Sequence, residues 1–185
     1  LEKDPDNVPA LTMLAECYSD DFSPHRARRL WLRVLELEPH NPVARQQLAA
    51  VIGASPREII WTSGTTESSN LAITGVCEMY RDRGRHVITC RTEHRAVLDV
   101  CAAIQQAGWQ VTYLPVDETG SLDAEQVEAA ITDQTALISI MAANNETGAL
   151  SPLAEIGQIA KKRGVLLHTD ATQAAGKIPL DVEAM

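Results

Sequence analysis

Two periods of apolar residues divide the chain. In the first third they recur three and four positions apart. After Ser23-Pro24, an N-cap serine with a proline in the first turn, Ala27, Leu30, Val34 and Leu37 share one stripe, which predicts an amphipathic helix from His25 to Leu37. From Ile52 onward, short β-branched runs alternate with helical stripes. The runs Glu58–Thr62, His86–Cys90, Gln110–Val116, Ala136–Met141 and Val165–His168 read as strands. Between them helical patterns cover Glu67–Tyr80, Arg95–Ala107, Ala124–Ile131 and Leu153–Lys162, and Gly84, Gly108 and Gly164 are placed to stop three of them. This alternation predicts an α/β fold with a mostly parallel sheet covered by helices.

The front of the chain repeats itself at an offset of 34 residues: Leu1 matches Leu35, Pro5 matches Pro39, Asn7 matches Asn41, Ala10 matches Ala44 and Ala15 matches Ala49. That is the tetratricopeptide period. Residues 1–43 are therefore expected to form a short α-helical segment that resembles a tetratricopeptide repeat, followed by the α/β part over 44–185. About one repeat is present where roughly three are wanted for independent stability, so the segment is expected to lean on its neighbour.

Composition narrows the partners. The 185 residues are 45% hydrophobic, and 16 Lys+Arg against 25 Asp+Glu leave a net charge of −9. No field attracts phosphate backbones or anionic lipid, so neither nucleic acid nor a membrane is an expected partner. No apolar stretch approaches a bilayer span, and the start Leu1-Glu2-Lys3-Asp4-Pro5 has no signal-peptide character, which gives a cytoplasmic expectation. Cys17, Cys77, Cys90 and Cys101 form no C-x-x-C pair and read as reduced thiols. His168 and Asp170 would share a strand face, but no third ligand accompanies them and no metal is expected. His25, Arg26, Arg28, Arg29 and Arg33 read as a solvated helix face.

Chemistry gathers after the strands. Ser63-Gly64-Thr65-Thr66 follows the first run, Thr92-Glu93-His94 the second, Asn144-Asn145-Glu146 the fourth and Asp170-Ala171-Thr172-Gln173 the fifth. The carboxyl ends of parallel strands form the ligand-binding edge of an open α/β sheet, so these clusters are expected to converge. Gly64-Thr65-Thr66 opens a helix whose N–H groups and hydroxyls suit a phosphate, although plain helix capping uses the same residues. There is no G-x-G and no G-x-x-x-x-G-K, so dinucleotide and P-loop sites recede. Asp170, ending an apolar run, needs a cation or several donors, and a protonated pyridine nitrogen would suit it. His94 suits ring stacking, proton transfer or capping of the helix at Arg95. Asn145 and Gln173 offer amide donors for a phenolate oxygen or for loop backbone.

The segments Trp61–Ile73, Thr92–Val97, Met141–Gly148 and His168–Gln173 together resemble the cysteine desulfurase family, class-V aminotransferases that use pyridoxal 5′-phosphate, over about residues 44–182. The resemblance implies a partial fold-type-I large domain. It implies that Thr65 and Thr66 bind the cofactor phosphate, that His94 stacks on the pyridine ring as the catalytic proton carrier, that Asn145 and Gln173 face the phenolic oxygen, and that Asp170 pairs with the ring nitrogen. It further implies L-cysteine as substrate, alanine and an enzyme persulfide as products, a sulfur-acceptor protein as a possible partner, and a homodimer.

The family's Schiff-base lysine sits in a Ser-x-His-Lys motif C-terminal to the matched segments, and its persulfide cysteine lies further on. The chain is therefore expected to be part of such an enzyme and inactive alone, with Lys177 and the four cysteines playing neither part. The alternative is a tetratricopeptide-like binding module whose α/β part is degenerate. A related reaction, on selenocysteine or another amino acid, is also left open.

Overall fold

The computed structural model describes residues 4–20 and 23–185. They fall into two units, residues 1–60 with 174–183, and residues 61–173 with 184–185.

Where the helical period runs in the first unit, the chain is helical: α1 (Val8–Asp20), α2 (Pro24–Leu37) and α3 (Pro42–Ala50). The 34-residue offset has a physical counterpart. Asn7 Oδ1 accepts the Ala10 N–H and Asn41 Oδ1 accepts the Ala44 N–H, each at 3.0 Å, so matched asparagines cap α1 and α3 in the same way. The core joins Leu11 and Ala15 to Ala27, Trp31 and Val34 and to Ala44. Trp31 thus belongs to the buried stripe of α2 along with the aliphatic positions. Ser23 holds the N-cap position of α2, but its hydroxyl makes no capping bond, leaving Pro24 to set the entry. The basic face of α2 is engaged rather than merely solvated. Arg33 pairs with Asp6 and Glu36, Arg28 donates to the Ala175 carbonyl, and Arg26 lies over the Tyr18 ring.

The expected strand Glu58–Thr62 does not form. Pro56–Glu58 is a 3-10 turn, closed by a capping box in which the Ser55 hydroxyl accepts the Arg57 N–H and Glu58 accepts the Ser55 N–H. Ile59 is extended, but residues 59–62 join no ladder, and Ile60 is 75% exposed. A β-branched run becomes a strand only beside a partner, and none of the four strands pairs with it.

The second unit starts with α4 (Thr65–Tyr80) and continues β1 (His86–Cys90), α5 (Arg95–Gln106), β2 (Gln110–Leu114), α6 (Ala124–Ala130), β3 (Thr135–Ser139), α7 (Leu153–Arg163) and β4 (Leu166–His168). All pairings are parallel, in the order β2-β1-β3-β4. The central strands β1 and β3 are buried throughout, which is why their residues read as continuous runs rather than as alternation. One face of the sheet packs Val87 and Leu137 against Ile73 and Cys77 of α4 and Val97, Cys101 and Ile104 of α5.

The connection from β1 leads outward to β2, whereas those from β2 and β3 lead the other way. Right-handed crossovers then put α5 on one face and α6 and α7 on the other. The loops after β1 and β3 consequently part company, and a crevice opens between them at the switch point.

Gly164 ends α7 in the left-handed conformation (φ 66°) with nothing within 4 Å of where a Cβ would be. Gly164→Ala is therefore expected to cost only the backbone penalty, about 1 kcal/mol in a urea unfolding curve. Gly84 has a different task from the expected one, since α4 ends earlier, at Tyr80. A Cβ there would stand 2.2 Å from the Gln134 carbonyl oxygen, so Gly84 permits a close backbone approach just before β1.

Candidate functional site

The edge at the carboxyl ends of β1, β3 and β4 carries a cavity of about 120 Å³. Thr65, His94, Asn145, Asp170 and Gln173 all line it, together with Met141, Ala143 and Thr172. Thr66, next to Thr65 on the first turn of α4, is exposed and lies outside the lining. A larger depression of about 440 Å³ lies at the opposite ends of the strands, among Tyr80, Thr132 and Gly164, and none of the motif residues lines it.

The start of α4 is left open. Its N-cap is Gly64, which has no side chain, and Glu67 turns back to accept from both the Ser63 N–H and hydroxyl at 2.6 Å. These bonds hold the Glu67 carboxyl below its usual range. The first backbone bond of the turn runs from Ser68 N–H to the Gly64 carbonyl, so the N–H groups of Thr65, Thr66 and Glu67 point out of the helix end. Together with two threonine hydroxyls they form a donor set suited to an anion.

Asp170 follows β4 and is 8% exposed. Its Oδ1 accepts the Thr172 N–H at 2.9 Å, and the Thr172 hydroxyl lies 2.8 Å from that of Thr65. A chain of three residues thus joins the buried carboxylate to the open helix end. Asp170 also opposes, by its charge, the burial that lowers the pKa of His168, whose Nδ1 lies 2.8 Å from the Ser139 hydroxyl.

His94 is exposed at the N-cap of α5, where its Nδ1 accepts the Ala96 N–H at 3.2 Å. The neutral ring therefore carries its hydrogen on Nε2, leaving that atom free of the capping bond. Capping and a role at the cavity are compatible. The neighbouring Asn144 shapes the loop. Its Oδ1 accepts the N–H groups of Glu146 and Thr147, its Nδ2 donates to the Thr92 carbonyl at 2.9 Å, and Asn145 is left at the rim.

Two members of the site were not assigned roles from sequence. Thr172 has a local signal, standing two residues after an aspartate in the pattern of a side-chain-to-backbone turn. Glu93, beside His94, is 5% exposed and accepts the Met141 N–H at 2.6 Å. Burial, and then the charge of Asp170, push its carboxyl up to about 8, against the lowering effect of that bond.

The donor set fits pyridoxal phosphate chemically. A buried carboxylate suits a protonated ring nitrogen, an open helix end with hydroxyls suits a phosphate, an exposed imidazole suits a ring face, and two amides suit a phenolate oxygen.

Parallel topology and a crevice at the switch point with convergent polar side chains define an α/β domain of the kind that binds a phosphorylated cofactor, and the family model for class-V aminotransferases matches residues 34–185. The chain belongs to the class-V aminotransferase family, which depends on pyridoxal phosphate. Cysteine desulfurases are among the proteins it is similar to. The human cysteine desulfurase is 57% identical over 142 residues, which cover 77% of this chain and 31% of that protein, so the chain spans about a third of the relative's length. Among solved structures, a NifS-like protein superposes with a TM-score of 0.74 at 40% identity, covering 82% of this chain and 42% of that one. SspA in complex with cysteine gives 0.73 at 40% identity, covering 76% and 40%.

Proposed function

We propose that the chain is the cofactor-cradling part of a cysteine desulfurase, an enzyme that takes sulfur from L-cysteine and leaves alanine. The observation that carries this reading is the convergence of Thr65, His94, Asn145, Asp170 and Gln173, drawn from four separate segments, on one cavity. When bound, pyridoxal phosphate supplies an electron-withdrawing ring that makes the α-proton of an amino acid removable.

The chain's own residues do the rest of what can be assigned to it. Thr65 and Thr66, with the helix N–H groups, would hold the phosphate. Asp170 would keep the ring nitrogen protonated. Asn145 and Gln173 would hold the phenolate oxygen. His94, which donates through Nε2 once Nδ1 is committed to the cap, would cover the ring and carry a proton at that atom. Among the described residues, no lysine lines the cavity. The covalent lysine and the persulfide cysteine would come from outside residues 1–185, and this stretch by itself would be inactive.

We read residues 1–43 as a tetratricopeptide-like segment, supported by the matched caps at Asn7 and Asn41. The complete enzyme would be a homodimer that hands its sulfur to an acceptor protein. No described helix is long and apolar enough to cross a membrane, and the four cysteines are unbridged, which suits the reducing cytoplasm.

Titrating the protein with pyridoxal phosphate tests the reading. Reversible, saturable binding is expected, weakened about tenfold in a Thr65→Val/Thr66→Val double variant by loss of the hydroxyl donors. Borohydride should fix no cofactor to a lysine within 1–185. An adduct mapped to such a lysine, or binding indifferent to both threonines, would refute the assignment.

A further inference from the structure

The ladder between β1 and β3 ends at Thr89 and Ser139. Beyond it the two strands diverge. Arg91 donates its N–H to the carbonyl of Leu114, the last residue of β2, while Ile140 and Ala142 donate theirs to His168 and Asp170 on the β4 side. The alternate N–H, that of Met141, points the other way, toward a β1 that has already turned off. A buried N–H cannot be left without an acceptor at low cost. Glu93 Oε1 fills the place, 2.6 Å away and 48 residues distant in sequence.

The side chain of Glu93 therefore does what the backbone of β1 no longer does. It is also an expensive choice for filling space. Its second oxygen, Oε2, is buried with no hydrogen-bond partner, and an apolar side chain would have avoided that cost. The carboxyl joins two things that belong to the cavity. Glu93 is the residue before His94 in the turn between β1 and α5, and Met141 lines the cavity.

We propose that Glu93 is a positioning residue of the cofactor cradle, clamping the turn that carries His94 to the backbone of Met141. The Asn144 amide, donating to the Thr92 carbonyl, makes a second tie between the same two loops. Glu93 holds its proton at neutral pH, pushed up to about 8 chiefly by burial, so the clamp adds no second negative charge beside Asp170. That leaves Asp170 as the carboxylate available to a protonated ring nitrogen.

The inference rests on the pyridoxal-phosphate reading of the cavity. It is tested by binding pyridoxamine 5′-phosphate, which cannot form an imine with a lysine, to the full chain and to Glu93→Leu and Glu93→Gln variants. Affinity and the induced circular dichroism of the ring band are read together, since the band reports how the ring is held. Glu93→Leu should bind about tenfold more weakly and lose most of the band, because small displacements of positioning groups are costly. Glu93→Gln, which keeps an acceptor for the Met141 N–H, should restore both.

Wild-type affinity and dichroism in Glu93→Leu would overturn the proposal, as would a Glu93→Gln variant as impaired as Glu93→Leu. Where Glu93→Leu fails to fold, Glu93→Asp, shorter by one methylene, takes its place with the same expectations. Failure of the wild type itself to bind would sink the cofactor reading instead. The clamp is then decided by amide exchange at Met141, expected to be fast in Glu93→Leu and slow in Glu93→Gln, with equal rates overturning it.

Discussion

Asp170→Asn is expected to lower pyridoxal-phosphate affinity about 10–100-fold, and the desulfuration rate of the complete enzyme by roughly 10²–10³-fold, since a buried charge aimed at a cofactor acts with little screening. The substitution is chosen for what it keeps. An asparagine oxygen still accepts the Thr172 N–H, so the link onward to the Thr65 hydroxyl survives and only the charge is removed. Asp170→Ala removes both. Its affinity should fall further, and the excess should appear as weaker binding of the phosphate end, measured by competition with inorganic phosphate. Calorimetric titration at neutral pH separates the two variants. Asp170→Asn binding as tightly as the wild type would show that no cation faces this carboxylate, and the nitrogen-pairing role would fall.

The sequence disclosed most where the physics is local. Strand β1 has the bounds its β-branched run suggests, and α5 follows the stripe of Val97, Leu98, Cys101 and Ile104, of which Leu98 is half-buried and the other three are buried. Strand β3 is shorter than its apolar run. Ile140 and Met141 are buried like the residues before them, but the chain there has left its ladder with β1, and burial is what the apolar pattern reports. Glu58–Thr62 fails for the complementary reason: it has the composition of a strand and no strand beside it.

The site divides in the same way. Asp170, His94 and the opening of α4 lie at element boundaries, where composition changes visibly, and topology predicts that such ends meet. The role of Glu93 was hidden although the residue stood in plain view beside His94. Its task is defined by the Met141 N–H, and that orphan exists only because β1 and β3 diverge after their ladder. No spacing rule encodes a three-dimensional divergence.

Glu93→Gln should change the pH dependence of stability as well as preserve the clamp. In the unfolded chain a glutamate ionises near its ordinary value of 4.5, whereas in the folded protein burial holds Glu93 protonated up to about 8. Between these values the unfolded state releases a proton that the folded state retains. Folding is thus progressively disfavoured as pH rises, by up to about 1.4 kcal/mol per pH unit, and the disadvantage levels off above the folded pKa. A glutamine has no such term. The variant should gain on the wild type between about pH 4.5 and 8 by roughly 2 kcal/mol, less than full linkage would give, because water and side chains relax around a buried charge. Urea unfolding at pH 5 and at pH 8.5 measures it. The charged groups that bear on Glu93 do not reproduce the trend. Asp170 is present in both proteins, and Cys101 across the core is pushed up to about 12, outside the window. His168, held low by burial, is likewise common to both and cancels in the difference. A stability difference that stays flat from pH 5 to 8.5 would mean that Glu93 is ionised in the folded state. A second negative charge would then stand near Asp170, where the cradle calls for one.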